Sequence, residues 1–518
     1  MKTLFSHFIA AVAALFLASY PATASEPLSL KQVLESILIN HPDLKINQID
    51  RSIAQTESLR VEGMLDPTVA ANFKASEEKV PVSSDFQASE TRLGQISGSI
   101  IKPLSFGGIV SANFTYNRTG QAYNSPIAAQ LSRFNPAFRN QVNLSYRHSL
   151  LKGANRPDYH QSLLIAEAGI ESADIQSQVI MQGLSLQAIN AFYQLAADEI
   201  NIHIAEQAVQ RSKKLLNYQR SRETFGLIEK ADRLQAEALL AARNTDLQRA
   251  KAQRLANQSR LNRLMLRASE TPIAIQAANK TSITPPSIAA SIEQAESLRP
   301  ELLLLTAQMK SADAQLLMAL DADQVQLDLI AEVGTRALAT SPGKAVTRGF
   351  EVNDQRYYAG LSFELSDVLG RNSSNATIRK AELTRQRISS QRLQIMQQIQ
   401  DDIAAASTTI TAGIPTLAIA KKQVAAEERK FAAEMKRYRQ GRSDTATLVQ
   451  FEGELRNATL NAELQQLTLQ LAEKQLTWAE GKLLHDFGLV ESASHTAPNN
   501  HSIKSMASTN SHARDENK

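Results

Sequence analysis

Two stretches decide the fold: RETFGLIEKADRLQAEALLAAR at residues 222–243 and RYRQGRSDTATLVQFEGELRNATL at residues 437–460. In each stretch one glycine, Gly226 or Gly441, interrupts a long segment rich in alanine and polar residues. A strand is predicted to end about 75 residues before each glycine, and a helix filling that interval would extend roughly 110 Å at 1.5 Å per residue. The sequence therefore predicts two long helical hairpins, each turning at a glycine.

The chain repeats this plan once. Pro42 in NHPDLKINQ corresponds to Pro300 in LRPELLLLT, and the predicted strand ends at Leu150 and Leu365 lie at the same offset from the two glycines. Each half reads as a short helix, alternating strands, a long helix, a glycine turn and a return helix. The predicted organisation is a first repeat at 25–270 (strands about 67–150, turn near 226), a linker at 271–288, and a second repeat at 289–490 (strands about 326–365, turn near 441).

The two ends of the chain differ from these repeats. Lys2, the apolar run 8–18 and the small residues Ala22-Thr23-Ala24 predict a signal peptide at 1–24, because the run is shorter than the roughly 20 residues that a membrane span needs. Residues 491–518 are rich in Ser, Asn and His and predict a disordered tail, in preference to a metal site at its histidines. The chain has no cysteine, which excludes disulfides, thiolate metal sites and a lipid anchor on an N-terminal cysteine.

The helical segments carry coiled-coil patterns. Residues 157–224 and 227–269 read as helices, and 29–63 and 289–325 read as one helix each. A seam with steps of four and three residues supports close helix packing, although an ordinary helical bundle has the same periodicity. Gly413 and Pro415 are expected to break or kink the second long helix. The seam residues are Leu460, Leu464, Leu467 and Leu471.

Six segments alternate between apolar and polar residues with period two. A half-buried sheet of a soluble sandwich shows the same alternation. Charged residues on the polar face, short turns at one end and long polar loops such as 338–355 at the other favour a membrane β-barrel with a water-filled lumen. Six strands leave exposed edges, so several copies are expected to share one sheet. The predicted lipid-facing residues are Phe73, Val110, Phe114, Val142, Leu144, Leu329, Leu361 and Phe363.

The sequence resembles the TolC family of outer-membrane efflux ducts. The resemblance rests on LSLKQVLESILINHPDL at 28–44, on the two opening stretches, on LAEKQLTWAEGKLLHDFGL at 471–489 and on RHSLLKGAN at 147–155. It implies a mainly α protein with two repeats of long coiled-coil helices and antiparallel transmembrane strands, whose β-barrel in the outer membrane is completed by trimerisation. It further implies a helical tunnel in the periplasm, which an adaptor links to an inner-membrane pump.

The resemblance also assigns roles at the hairpin turns. Asp232, six residues after Gly226, and Tyr438, three before Gly441, are implied to pair across helices and hold the tip closed through a charge-assisted hydrogen bond. Asp232 could equally be a helix N-terminal acid, and Tyr438 a packing residue. The remaining tip positions are Arg442, which directly follows Gly441, and Thr447 and Gln450, which stand where the family often has two acids. The turns implied to dock a periplasmic adaptor contain Gly226, Leu227 and Gly441.

The function favoured is a passive trimeric channel-tunnel for efflux or secretion, linked by an adaptor to an inner-membrane pump. The alternative is a periplasmic coiled-coil structural or adaptor protein. No P-loop, metal-ligand cluster or catalytic constellation stands out, so no enzyme activity, cofactor or metal is expected, and the absence of a basic patch with interleaved aromatics argues against nucleic acid. Two barrel sizes stay open: eighteen strands in a trimer, or the twelve of the best-known family members, with 93–118 as a hairpin outside the wall.

Overall fold

The computed structural model describes residues 27–226, 228–276, 283–351 and 356–489. The predicted signal peptide at 1–24 and the predicted tail at 491–518 lie outside these residues. The described residues divide into two compact units. Among the described residues, the first, here the helical unit, takes in those within 27–47, 177–302 and 395–489, and the second, here the sheet unit, takes in those within 48–176 and 303–394.

The helices and strands alternate along the chain in the order that the repeat predicts. In chain order they are α1 Leu30–Asn40, α2 Pro42–Glu62, β1 Thr68–Lys79, β2 Ala88–Pro103, β3 Gly108–Tyr123, α3 Pro126–Leu131, β4 Ala137–Ser149, α4 Pro157–Thr224, α5 Lys230–Leu264, α6 Ile288–Leu298, α7 Pro300–Ala322, β5 Gln326–Ala339, α8 Pro342–Phe350, β6 Tyr357–Ser366, α9 Asn372–Arg439, α10 Thr445–Ala479 and α11 Leu483–Asp486.

Corresponding helices of the two halves have matching lengths. The long helices α4 and α9 each contain 68 residues, the return helices α5 and α10 each contain 35, and α1 and α6 each contain 11. The helix predicted at 157–224 is confirmed with the same bounds. The loop predicted at 338–355 contains the short helix α8, and the short helix α3 lies between β3 and β4.

The prediction of one helix over 29–63 and one over 289–325 is wrong, because each segment forms two helices. The breaks fall before Pro42 and Pro300, where His41 and Arg299 adopt extended backbone with ψ of 132° and 117°. Proline disfavours helical backbone in the residue before it and lacks an N–H for the helical ladder. Each proline is nevertheless well placed as the first residue of the next helix.

Of the break or kink expected at Gly413 and Pro415, the break is wrong, since α9 is continuous with Pro415 inside it. Ile399, Ile403 and Ile410 of α9 are fully buried in a core shared with α6, α7 and α10. Burying one such side chain contributes roughly 1.5–3 kcal/mol, so three of them exceed the cost of about 3 kcal/mol for an internal proline. By length and composition alone, α9 also has an 18-residue window apolar enough to span a membrane, 33% of it buried.

A second core of the helical unit forms around α1. Val33, Leu34 and Ile37 of α1 are almost completely buried against α4, α5 and α11. A capping box fixes the start of α1, with the Ser29 side chain accepting from the backbone of Gln32 and the Gln32 side chain accepting from the backbone of Ser29. The two halves of the chain therefore share one apolar interior in this unit.

The sheet unit contains one six-stranded sheet in the order β1-β2-β3-β4-β5-β6, with all neighbours antiparallel. Residues 93–118 belong to β2 and β3, which lie between β1 and β4. The alternative of a separate hairpin outside the wall is therefore wrong. β1 and β6 are the edge strands, and every residue in both except Tyr358 is exposed.

The register sorts the side chains onto two different faces. Phe114, Val142 and Thr335 lie in one cross-strand row, and the other predicted apolar positions share their face. Several of these side chains are well exposed, including Phe73 at 75%, Leu361 at 68% and Phe363 at 66%. On the opposite face, Arg147 contacts Asp328 at 2.8 Å and Glu364 at 3.0 Å. Over the middle of the strands the sheet thus has an exposed apolar face and a charged polar face. At one end of the apolar face, the charged residues Glu77, Lys79, Glu90 and Arg92 pair with one another.

One buried carboxyl makes the helical unit sensitive to pH. Asp198 is 3% exposed and accepts from the Asn257 amide at 2.6 Å, and burial raises its pKa above the ordinary value of 3.8. The fold therefore favours protonated Asp198, and this contribution is lost as pH rises through the folded pKa. We expect Asp198→Asn, which keeps the amide contact, to raise the thermal midpoint at neutral pH and to lose that advantage in acid.

Thermal unfolding followed by circular dichroism at several pH values measures this difference. The matched control is Asp401→Asn, at an exposed position of α9. An Asp198→Asn midpoint that falls below the wild type at neutral pH would contradict the assignment.

Candidate functional site

The two hairpin turns have the same backbone form. Gly226 has φ of 67° and donates to the Glu223 carbonyl at 2.9 Å, and Gly441 has φ of 72° and donates to the Tyr438 carbonyl at 3.0 Å. Left-handed backbone of this kind favours glycine and ends a helix cleanly. Leu227, the third predicted turn residue, lies outside the described residues.

The helix that follows the second turn, α10, begins with an N-cap at Asp444. The Asp444 side chain accepts from the Thr447 backbone N–H at 2.7 Å, and this bond lowers the pKa of Asp444. Arg442 is exposed, and its backbone N–H donates to the Arg437 carbonyl at 2.9 Å. Thr447 and Arg442 therefore belong to the turn and its cap.

An apolar cluster lies beneath the turns. It contains Leu215 and Leu216 of α4, Ala236 of α5, Tyr438 of α9 and Leu448 of α10. Tyr438 is 2% exposed. Its packing role, one of the two interpretations open from the sequence, is therefore confirmed.

Tyr438 also takes part in a buried hydrogen-bond chain. Its phenol lies 3.1 Å from the Thr445 hydroxyl, which donates to Asp232 Oδ1 at 2.9 Å. The Gln219 amide donates to the Thr445 hydroxyl at 2.6 Å and to the Tyr438 phenol. Because the Thr445 proton is directed at Asp232, Tyr438 is the donor to Thr445. Burial raises the pKa of Tyr438, so the phenol keeps the proton that it donates.

We refer to Gln219, Asp232, Tyr438 and Thr445 as the tip relay. Its members come from α4, α5, α9 and α10, so one chain of bonds ties together all four helices of the two hairpins. The resemblance implied direct pairing of Asp232 with Tyr438, whereas here Thr445 joins them. Sequence reasoning missed Gln219 and Thr445, although the place of Thr445 at the start of the return helix was a usable signal.

A charged layer lies next to the relay. Glu452, whose side chain is 5% exposed, contacts Arg211 of α4 at 3.0 Å and Arg243 of α5 at 3.0 Å. Asp246 then contacts Arg243 at 3.3 Å and Arg456 at 2.9 Å. Two guanidinium groups balance the buried Glu452 carboxylate, which would otherwise carry a large desolvation cost.

The remaining acids near the second turn are also paired. Glu454 binds Lys430 and accepts from the Gln450 amide at 2.8 Å, and Lys430 lowers the pKa of Glu454. Lys430 also lies 4.3 Å from the centre of the Phe451 ring. Gln450 is exposed. The described acids at this turn are therefore engaged with cations or caps.

A cavity of about 440 Å³ opens between the apolar cluster and the charged layer. Leu215, Tyr218 and Phe431 supply apolar walls, and Arg211 and Lys214 supply positive charge. Among the described residues, no group of three or more His, Asp or Glu side chains is arranged to hold a metal ion. The chemistry of the tip therefore consists of hydrogen bonds and ion pairs between helices, which can break and re-form.

Comparison with known proteins relates this architecture to one class. No protein-family model and no curated protein matches the sequence. Solved structures do match, and one is the outer-membrane channel OprN, with a TM-score of 0.64 and 16% identity over 87% of this chain and 89% of that one. The CmeC outer-membrane channel of Campylobacter jejuni matches with a TM-score of 0.61 and 13% identity over 88% of this chain and 86% of that one. The outer-membrane protein VceC of Vibrio cholerae matches with a TM-score of 0.60 and 16% identity over 89% of this chain and 96% of that one.

These matches extend over most of the chain and most of each channel, so they include both the strands and the long helices. They confirm the coarser part of the predicted fold, a mostly helical chain with an antiparallel sheet. The chain has the fold of the outer-membrane efflux channels of the TolC family.

Proposed function

We propose that this protein is a trimeric outer-membrane channel-tunnel, the passive exit duct of an efflux or secretion system. A periplasmic adaptor would dock at the turns containing Gly226, Leu227 and Gly441 and link the duct to an inner-membrane pump. The observation that carries the proposal is the two-faced six-stranded sheet, joined in sequence to long helical hairpins in the fold of known outer-membrane channels.

The exposed apolar face supports a place in lipid. Large apolar side chains at Phe73, Leu144, Leu361 and Phe363 would be unfavourable in water as a continuous patch. The charged face, with Arg147 bridging strands, suits a wet lumen. A soluble periplasmic adaptor, the alternative function, gives no reason for a sheet with these two faces.

The edge strands support assembly into a closed wall. β1 and β6 run in opposite directions, so β6 of one copy can pair with β1 of the next as one more antiparallel neighbour. Closure satisfies every strand edge, which hydrocarbon surroundings require. Three copies of six strands would form an eighteen-stranded barrel.

The tip relay supports a closed resting state. Moving the two hairpins apart must break the bond from Thr445 to Asp232 and the bonds from Gln219 to Tyr438 and Thr445. Breaking bonds between largely buried groups is costly. Thr447 and Gln450, in place of two acids, leave no acidic ring at these positions. We propose that opening is an iris-like shift of the helix pairs that disrupts the relay.

A planar-bilayer recording of the protein purified from outer membranes tests the duct. Discrete conductance steps from a heat-sensitive oligomer are the expected result. Recovery of a soluble periplasmic monomer without conductance would overturn the proposal.

Removing the relay should open the tip. Thr445→Val keeps the side-chain shape but deletes the hydroxyl between Tyr438 and Asp232. Loss of a buried hydrogen bond costs on the order of 1–2 kcal/mol, which corresponds to roughly a tenfold shift toward the open state. Asp232→Ala and Tyr438→Phe remove the two ends of the same chain and should also raise conductance or dye leakage.

The control for these variants is Thr468→Val, because the Thr468 hydroxyl bonds only a carbonyl of its own helix, Leu464, at 2.9 Å. If the three relay variants all conduct like the wild type, the relay is not the gate, although the duct itself is unaffected by that result.

A charged side chain introduced on the apolar face should impair assembly in the membrane. Leu144→Arg places a cation on the face proposed to meet lipid, at a cost of up to ~2–4 kcal/mol, and should reduce the heat-sensitive oligomer in the outer membrane. Asn143→Arg is the matched control, since the neighbouring residue faces the other side of the sheet. Equal assembly of the two variants, measured by fractionation, would show that Leu144 does not contact lipid.

A further inference from the structure

The short helix α8, Pro342–Phe350, lies on the apolar face of the sheet. Ala345 packs with Phe138 and Ala339, at the ends of β4 and β5. Thr335 donates to the Gly349 carbonyl, and the Phe350 ring stacks on Phe114 with centroids 6.3 Å apart. Phe114 and Thr335 share the cross-strand row of Val142, on the apolar face.

This contact is specific enough to fix the helix in place. Asn140 is 1% exposed and donates to the Val346 carbonyl at 3.4 Å. A Cβ added to Gly349 would lie 2.1 Å from Asn140 Nδ2, so only glycine permits this close approach. Ala345 and Gly349, one turn apart, therefore form the side of α8 that meets the sheet.

The two flanks of α8 are exposed and chemically different. Lys344 and Arg348, four residues apart, form a basic flank, and among the described residues no acid pairs with either. Val346 and Phe350, also four apart, form an apolar flank and are 38% and 61% exposed. At 100° per residue the two flanks lie on opposite sides of the line through Ala345 and Gly349.

The position along the strands places α8 at one rim of the sheet. It follows β5 directly and packs near Phe138, whereas the other end of β4, at Ser149, leads into the long helix α4. In the proposed duct the long helices extend into the periplasm. α8 then lies at the outer rim, on the lipid side of the wall.

We propose that α8 is an interfacial anchor that binds phosphorylated glycolipid of the outer leaflet. Lys344 and Arg348 would contact headgroup phosphates, and Val346 and Phe350 would insert among the acyl chains. An amphipathic helix with a basic flank, lying in the plane of the interface, is the form that binds anionic lipid surfaces. This inference rests on the proposed function, because only a spanning sheet brings α8 to the lipid.

The absence of cysteine from the chain allows a test with single introduced cysteines. Full-length Val346→Cys, carrying a nitroxide label, is reconstituted in phosphatidylcholine vesicles with or without a minor fraction of bis-phosphorylated glucosamine glycolipid. Collision rates with oxygen and with a water-soluble nickel chelate report depth. Oxygen collisions are expected to exceed chelate collisions, with a several-fold increase in their ratio when the glycolipid is present.

Charge variants separate binding from mere proximity. Lys344→Gln with Arg348→Gln should abolish the glycolipid-dependent increase, whereas Lys380→Gln with Arg387→Gln, at exposed positions of α9, should preserve it. Inorganic phosphate added to phosphatidylcholine vesicles should not reproduce the increase. A glycolipid response that survives in the α8 double variant, or that phosphate alone reproduces, overturns the proposal.

A label at Leu144→Cys distinguishes this failure from failure of the duct. If the Leu144 label lies in lipid while the Val346 label stays accessible to the chelate under all conditions, the anchor is overturned and the spanning sheet is not. If both labels are chelate-accessible, the sheet does not span the vesicle membrane and both proposals fail.

Discussion

The unpaired backbone of the edge strands β1 and β6 is the constraint on which the rest of this structure depends. Each edge presents a row of N–H and C=O groups that must find partners, and hydrocarbon offers none. In the proposed duct, the sheet cannot leave the membrane to hydrate its edges without exposing its apolar face to water. Pairing of β6 with β1 of another copy would satisfy both demands, which is why the proposed duct needs more than one chain.

In the helical unit, two buried polar groups near the turns are held by partners on other helices. The Glu452 carboxylate is held between Arg211 and Arg243, and the Tyr438 phenol is held through Thr445. The α1 and α9 cores, by contrast, are apolar. The polar bonds at the tip give this end of the unit contacts that can be exchanged, while the apolar cores keep the hairpins assembled.

The features that could be predicted from the sequence are those that depend on residues close together in the chain. The helix between Pro157 and Gly226 was predicted with its observed first and last residues. Period-two alternation predicted six strands, and in the structure each strand pairs with the next one along the chain. The breaks before Pro42 and Pro300 follow from a local proline effect that was available in the sequence. The continuity of α9 depends instead on contacts between distant parts of the chain. Pro415 continues a helix because buried isoleucines on α9 hold it, a fact that propensity does not contain.

The candidate site shows the same limit. Asp232 and Tyr438 could be identified beside their glycines, but Thr445 joins them across 213 residues of sequence, and Gln219 reaches Tyr438 across 219. The helix α8 lies within a segment predicted as a polar loop, and only its packing against Asn140 and Thr335 reveals its role. Pairings over such separations are set by the fold and leave no local sequence pattern.

Chemical cross-linking between the two edges tests the central claim most directly. In the cysteine-free chain, Asn72→Cys on β1 and Ser362→Cys on β6 place thiols on the polar faces of opposite edges. A bifunctional maleimide applied to the double variant in outer membranes should give a covalent ladder that ends at three chains, and neither single variant should give it. A double variant that remains a single chain, or a ladder that continues past three, would contradict closure of the sheet by three copies.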